Sequence, residues 1–376
     1  MAAGLGLLVG CDAEGAVRCR FEGSRSVGRT ALGTDQVALV DGAAGLLATW
    51  TSSAGWEARR LDGDGEPTGS VVRLGPSCDA GLAVRRDGSG WTALCGHRAR
   101  PDKAQEGALR MLVIDEQLAI TRSRVLATLG RDAQGVDLAR HDDGSWSVVW
   151  HDGHVGRWNV QRARVRPDED GPVDAEPLSS GVLAASPYPR VQVREDRALF
   201  VFEEFWLDAG FARGRVSIAR ERGMPIAVEE LEDRDGRAQL VHDGRSWVLV
   251  FRDLRRPSPK ASLYARRLGD DLRPIERARR ITRADADGSP RALMCDERLA
   301  VVVPRTWDTD VLVGIDLLDT RLRKVVAEQQ IYEWSARFPH ADAVCHDGRV
   351  ITLAASRAWV GAGEAPLHTI GLHCTP

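Results

Sequence analysis

The chain holds 376 residues with a formal net charge of -3, 43% hydrophobic and 28% charged, which excludes a disordered tail, a collagen and a coiled coil. Arginine supplies nearly all the positive charge, lysine occurring only at Lys103, Lys260 and Lys324, and the opposite signs are interspersed, which argues against a dedicated nucleic-acid surface. No stretch reaches the roughly 18 consecutive apolar residues that span a bilayer.

In chain order, residues 1–14 read as an N-terminal tail and 15–376 as one repeat domain. Within the tail, Leu8-Val9-Gly10-Cys11 ends an apolar segment. It resembles the lipobox of bacterial lipoproteins, and the resemblance implies a truncated signal with Cys11 as the lipidated residue. The basic residues that open such a signal are missing here, and a frayed terminus is the alternative reading. Residues 15–22 have strand character.

From there the sequence repeats. Turn marks stand at Asp41-Gly42, Asp87-Gly88, Asp143-Gly144, Glu195-Asp196, Asp243-Gly244, Asp296-Glu297 and Asp347-Gly348, about 51 residues apart. Asp-Gly between two apolar runs predicts a hairpin, because both turn residues tolerate positive φ. After each mark comes a continuous apolar run, at 46–50, 91–95, 146–150, 198–202, 247–251, 299–303 and 350–354. Continuous rather than alternating runs are expected of strands covered on both faces. Four-stranded units at this period predict a seven-bladed β-propeller, all-β, with antiparallel blades; a two-domain β-sandwich is the structural alternative. The seventh unit supplies three strands before the chain stops, so the N-terminal strand at 15–22 is expected to close the last blade and leave no unpaired edge.

Seven cysteines fit the same picture. Setting Cys11 aside leaves six, an even number compatible with disulfides in an exported protein. Cys19 and Cys374 lie on strands placed side by side at the seam and are the expected pair. Cys78 and Cys95 flank one hairpin out of register, so a bond requires Cys78 to precede its strand. Cys295 and Cys345 hold near-equivalent positions in neighbouring units, where the Cα separation is expected to exceed about 7 Å and forbid a bond; buried thiols are the reading for those two.

Catalytic motifs are missing: there is no GxSxG, P-loop, HExxH or CxxC, and neither a metal nor a cofactor is expected. Asp62 and Asp64 alternate as in a calcium loop, but the segment falls at the third turn of its unit and reads as a turn. The hairpin around Asp143, Gly144 and Trp146 is similar to the Asp-box of sialidase-like propellers, yet lacks the Ser or Thr before the Asp and implies no sialidase activity. The segments after the second strands are polar and carry tryptophans. His151, Asp152, Glu203, Trp206, Arg252, Asp253, Arg305 and Trp307 are the candidate ligand-binding residues, since aromatics beside carboxylates and arginines suit a sugar or peptide. Blade-to-blade ion pairs and inter-sheet packing are the alternative reading of the same residues.

Residues 35–376 resemble the repeat propellers of exported, often lipidated, Gram-negative proteins, whose units also show a Trp, a turn and an Arg-rich third strand. The resemblance implies a periplasmic or cell-surface protein, with a cytoplasmic interaction hub as the contrary reading. The expectation is therefore a monomeric, non-catalytic binding or scaffolding module of the cell envelope. Its ligand would be a protein or a carbohydrate, with no nucleic acid, and with membrane contact only through a lipid anchor. The alternative is a carbohydrate-active enzyme, hydrolase or lyase, with Glu203 or Glu204 as acid or base. Those two cannot form a pair, because adjacent strand residues point to opposite faces.

Overall fold

Apolar runs punctuated by Asp-Gly turns give strands, and a computed structural model of the chain shows 31 strands and no helix among the described residues. Described are residues 18–31, 37–42, 45–100, 104–154, 159–179, 184–185, 188–208, 211–232, 237–253, 262–282, 285–286, 290–307, 310–324, 329–334, 341–355 and 364–375. Cys11 and the rest of the tail lie outside them.

The strands form seven antiparallel sheets, the blades of a propeller. The innermost strands of blades 1 to 7 are Val37–Gly42, Gly81–Asp87, Val136–Arg140, Arg190–Arg194, Gln239–His242, Arg291–Cys295 and Ala341–His346. Each hairpins into a second strand: Gly45–Ser52, Gly90–His97, Trp146–His151, Arg197–Asp208, Trp247–Asp253, Arg298–Trp307 and Arg349–Ala355. The second strands are the most buried; all six residues of Trp146–His151 are covered. Their side chains fill the space between neighbouring sheets, so that Leu94 and Met111 of blade 2 pack with Leu138, Trp146 and Trp150 of blade 3. Each such large apolar side chain, fully removed from water, contributes roughly 1.5–3 kcal/mol.

The hairpins use the expected turn chemistry. At Glu195-Asp196 both residues have positive φ, 49° and 58°, as they do at Asp347-Gly348, 48° and 71°; this is the twist a two-residue hairpin needs. Asp41 and Gly42, by contrast, end their strand rather than form the turn.

The N-terminal segment closes blade 7, as the count of strands requires. Arg18–Phe21 pairs with the C-terminal half of Glu364–Thr375, with Cys19 opposite Cys374. The closure runs further than residue 22: Arg25–Ala31 pairs with the first half of the same strand through a bulge between Ser26 and Gly28. The expected disulfide between Cys19 and Cys374 is present. Cys78 does precede its strand and bonds Cys95. Cys295 and Cys345 correct the expectation of free thiols: they are bonded, with Cα atoms 5.1 Å apart. Innermost strands converge on the axis, so equivalent positions in adjacent blades come closer there than at the rim. The three disulfides fit an oxidising compartment outside the cytoplasm.

Arginine explains how blades hold each other at the rim. Guanidinium groups reach carbonyls in or next to the third turn of the following blade: Arg124 Nε to Gly171 O at 2.6 Å, Arg162 Nη1 to Arg220 O at 2.5 Å, Arg220 Nη2 to Asp270 O at 2.9 Å and Arg25 Nη1 to Asp64 O at 2.7 Å. A long side chain carrying five donors suits this task better than lysine. The third turns are themselves alike. Asp62, Asp115 and Asp319 each accept two amides two and four residues on. Asp62 is thus a turn residue like its equivalents.

Candidate functional site

The two faces of the ring differ. One carries the Asp-Gly hairpins and third turns. The other, the mouth face, carries the ends of the second strands and the chain crossing between blades. Seven of the eight candidate ligand-binding residues lie on the mouth-side parts of second strands, on blades 3 to 6, and Asp152 directly follows the blade 3 strand.

Two of the expected loops prove to be ladders. In blade 4, Arg197–Asp208 and Phe211–Arg220 stay paired out to Asp208 opposite Phe211, with Trp206 opposite Arg213. In blade 6, Arg298–Trp307 and Asp310–Leu318 stay paired out to Trp307 opposite Asp310. Short strands Ala184–Ala185 and Asp285–Ala286 brace these extensions. The aromatic and β-branched residues at these ends favour a strand. Two extended hairpins therefore stand on the mouth face, flanking blade 5.

Several of the candidates tie the ring together. Glu203 Oε1 accepts from the Ala238 amide of blade 5 at 2.6 Å. Asp253 Oδ1 accepts from the Glu232 amide at 2.9 Å. Asp152 accepts from the Asn159 amide and Gln161 Nε2 within its own blade. Glu204, 2% exposed, takes both Nε and Nη2 of Arg215, at 2.8 and 2.7 Å. His151 is buried beside Asp152, and burial pushes its pKa down to about 4, so the ring is neutral at pH 7. Trp206 and Arg252 are half-buried. For Arg305 and Trp307 only the backbone is described.

The same logic recurs on the innermost strands. Each is a sheet edge at the channel, with outward amides that need acceptors. Asp137 Oδ2 accepts from Val191, Gln239 Oε1 from Ala292 and Asp342 Oδ2 from Leu39, at 3.1, 2.9 and 2.9 Å. Every one of these bonds crosses to the next blade.

The remaining oxygens of Asp137 and Asp342 hold a group that sequence reasoning missed. Arg85 Nη2 lies 2.6 Å from Asp137 Oδ1, and Arg291 Nε 2.8 Å from Asp342 Oδ1. Arg85 is held below the ordinary guanidinium range, chiefly by burial; Asp137 and Asp342 oppose that lowering, while Arg291 and Arg190 add to it. Those five residues come from blades 2, 3, 4, 6 and 7, and only the central channel lets their fields meet. Arg190, at the mouth end of its strand, has no ion-pair partner among the described residues. Just before it, Tyr188 carries the Arg237 guanidinium over its ring, 4.9 Å from the centroid. Arg190 therefore stands at the channel two residues after Tyr188, with Asp137 and Asp342 already committed to neighbouring amides and to Arg85 and Arg291. Among the described residues no three His, Cys, Asp or Glu side chains gather as metal ligands.

No protein-family model matches the chain, and no curated protein matches it in sequence. Solved structures do match in fold. An ulvan lyase of polysaccharide lyase family PL25, bound to -[GlcA(1-4)Rha3S]-, aligns with TM-score 0.62 at 10% identity, covering 92% of this chain and 95% of that one. A second structure of a PL25 ulvan lyase gives TM-score 0.60 at the same identity and coverage. At this identity the likeness shows the fold, and it assigns no residue. It does count against one expectation, that of a non-catalytic binding or scaffolding propeller, because both of these structures, which share the fold over nearly the whole chain, are of a carbohydrate-active enzyme.

Proposed function

We propose that this propeller is a carbohydrate-active enzyme that cleaves an acidic polysaccharide by elimination at a uronate. The observation carrying this reading is the set of channel arginines, Arg85 and Arg291 paired to Asp137 and Asp342 and Arg190 without an ion pair among the described residues, with Tyr188 two residues before Arg190 under the Arg237 guanidinium. The lyase fold of the solved neighbours supports it.

Elimination needs two things. The proton on the carbon next to the uronate carboxylate must be made acidic, which cations on that carboxylate achieve by stabilising the charge that develops there. A base must then take the proton while the electron pair forms a carbon–carbon double bond and expels the glycosidic oxygen. Arg190 and Arg291 are the carboxylate clamp, with Arg85 behind them. Tyr188 is the proton-transfer group, with Arg237 over its ring favouring the phenolate while it acts as base. The hydrolytic alternative asks for a carboxylic acid and a carboxylate across the bond. Glu204, tied to Arg215, and Glu203, accepting a backbone amide, are poorly placed to act as that acid.

The test is incubation with ulvan and other uronate polysaccharides, following ultraviolet absorbance of the unsaturated uronate alongside new reducing ends. Both rise together under this reading. Reducing ends without absorbance would support hydrolysis, and neither signal on any uronate polymer would overturn the proposal.

The same reading places the protein outside the cytoplasm, where such polymers are met, and the disulfides support export. Cys11 is then the anchor residue; labelled fatty acid should enter the full-length protein in a bacterial host and fail to enter Cys11→Ala.

A further inference from the structure

On the hairpin face, away from the mouth, blades 4 and 5 leave a cleft of about 650 Å³. The first hairpin and third turn of both blades line it, so it shares no residue with the channel mouth. Its chemistry is one-sided. Arg194, Arg197, Arg220, Arg222 and Arg245 face Glu195, Glu221 and Asp270. Glu221 already pairs with Arg164 at 2.9 Å, and Arg220 is fixed on the Asp270 carbonyl. Arg197, Arg222 and Arg245 are exposed and have no ion-pair partner among the described residues.

Elsewhere on this face six arginines are put to use between blades. Arg25, Arg122, Arg124, Arg162, Arg164 and Arg267 each bridge to a neighbouring blade. Three uncommitted guanidinium groups around one cleft depart from that pattern. The inner wall holds Trp247, with His242 edge-on at 4.8 Å. Gly244 N–H donates to His242 Nδ1 at 2.9 Å, so a neutral ring carries its proton on Nε2. Burial and Arg194 both hold this histidine below its ordinary pKa.

We infer that this cleft is a second binding site, for a negatively charged polysaccharide segment, that tethers a polymer whose cleavage occurs on the opposite face. Guanidinium forks suit sulfate esters and carboxylates spaced along a chain, and the volume is that of a small-ligand site rather than of a protein interface. The choice of a saccharide rests on the function proposed above. The charge argument stands without it.

The experiment is affinity electrophoresis of the full chain through gels containing ulvan, dextran sulfate, neutral dextran or DNA. The triple variant Arg197→Glu, Arg222→Glu, Arg245→Glu is run beside the wild type and beside Arg190→Ala. Wild type and Arg190→Ala should be retarded by ulvan and dextran sulfate but not by dextran, and the triple variant should lose at least tenfold in apparent affinity. Its melting temperature should hold, because the three side chains are exposed. Should the triple variant melt early, Arg197→Gln with Arg245→Gln, which reverses no charge, is run instead and should weaken retardation in the same direction. If ulvan turnover is also measurable, the triple variant should keep the rate on short oligosaccharides and lose it on the long polymer. No retardation of wild type, equal retardation of the triple variant, or retardation by DNA matching that by ulvan would each overturn the inference. Retardation without any turnover would defeat the enzymatic reading while leaving the cleft in place.

Discussion

The hairpin face and the mouth face are built from the same strands and answer to different demands. On the hairpin face one solution recurs: an Asp-initiated third turn, often a buried leucine at positive φ such as Leu118, Leu272 or Leu322, and an arginine from the preceding blade on a turn carbonyl. On the mouth face the repeat breaks, with two hairpins extended, carboxylates shared between amides of the next blade and the channel arginines Arg85 and Arg291, and Arg190 left without an ion pair among the described residues. Where each blade does what its neighbour does, the residues serve the ring. Where the blades stop agreeing, there is room for chemistry.

The seam should show the largest effect. Cys19 and Cys374 are 355 residues apart, against 17 for Cys78 and Cys95. In the chain-entropy account the first bond contributes about 6 kcal/mol and the second about 3. Cys19→Ser with Cys374→Ser should lower the urea midpoint more than Cys78→Ser with Cys95→Ser. The reverse order would mean that the closing blade is held by packing instead.

At the mouth, Arg190→Ala should cut the rate of unsaturated-uronate formation roughly 100-fold or more, the scale for losing one preorganised charge-stabilising group, while the melting temperature stays within a few degrees. Unfolding, or an undiminished rate, would move Arg190 into the structural class.

His151 allows a pH test. Its folded pKa of about 4 lies below the ordinary 6.5, so the unfolded chain binds the proton first and stability falls as pH drops from about 6.5 to about 4, then levels off. The contribution is on the order of 3 kcal/mol. Denaturant titrations of wild type should show that slope, and His151→Gln should flatten it.

The smallest effect belongs to the hairpin face. Arg122, half-exposed, meets Asp170, which is 93% exposed; Arg122→Ala should cost less than about 1 kcal/mol. A larger loss would mean that the rim clamps carry more of the ring than their exposure suggests.

The ring was legible from the chain because Asp-Gly turns and doubly covered strands leave strong marks, and the partnership of Cys19 with Cys374 followed from ring closure alone. The extended hairpins were hidden, since Glu203, Glu204 and Arg213 read as a polar loop until pairing places Trp206 opposite Arg213. The arginines of the mouth were hidden for a geometric reason. Arg85, Arg190 and Arg291 look like solvent-facing residues on edge strands, and nothing short of closing a sevenfold circle sets strands 100 residues apart face to face. Among the eight residues chosen from sequence, Glu203 and Asp253 fit the blade-to-blade reading through the backbone amides they accept from.

The outer strand of blade 7 has one more consequence, for the order of events during synthesis. Residues 18–31 leave the ribosome long before their partner strand, Glu364–Thr375, is made. At about 5–20 residues per second, the wait for Cys374 is roughly twenty seconds to a minute. Blades 1 to 6 draw only on residues made in sequence and can form as they emerge, while the first strand waits as an unfinished edge. A circular permutant opened between blades 1 and 2, with the old ends joined, would hand blade 7 contiguous strands and move that delay elsewhere.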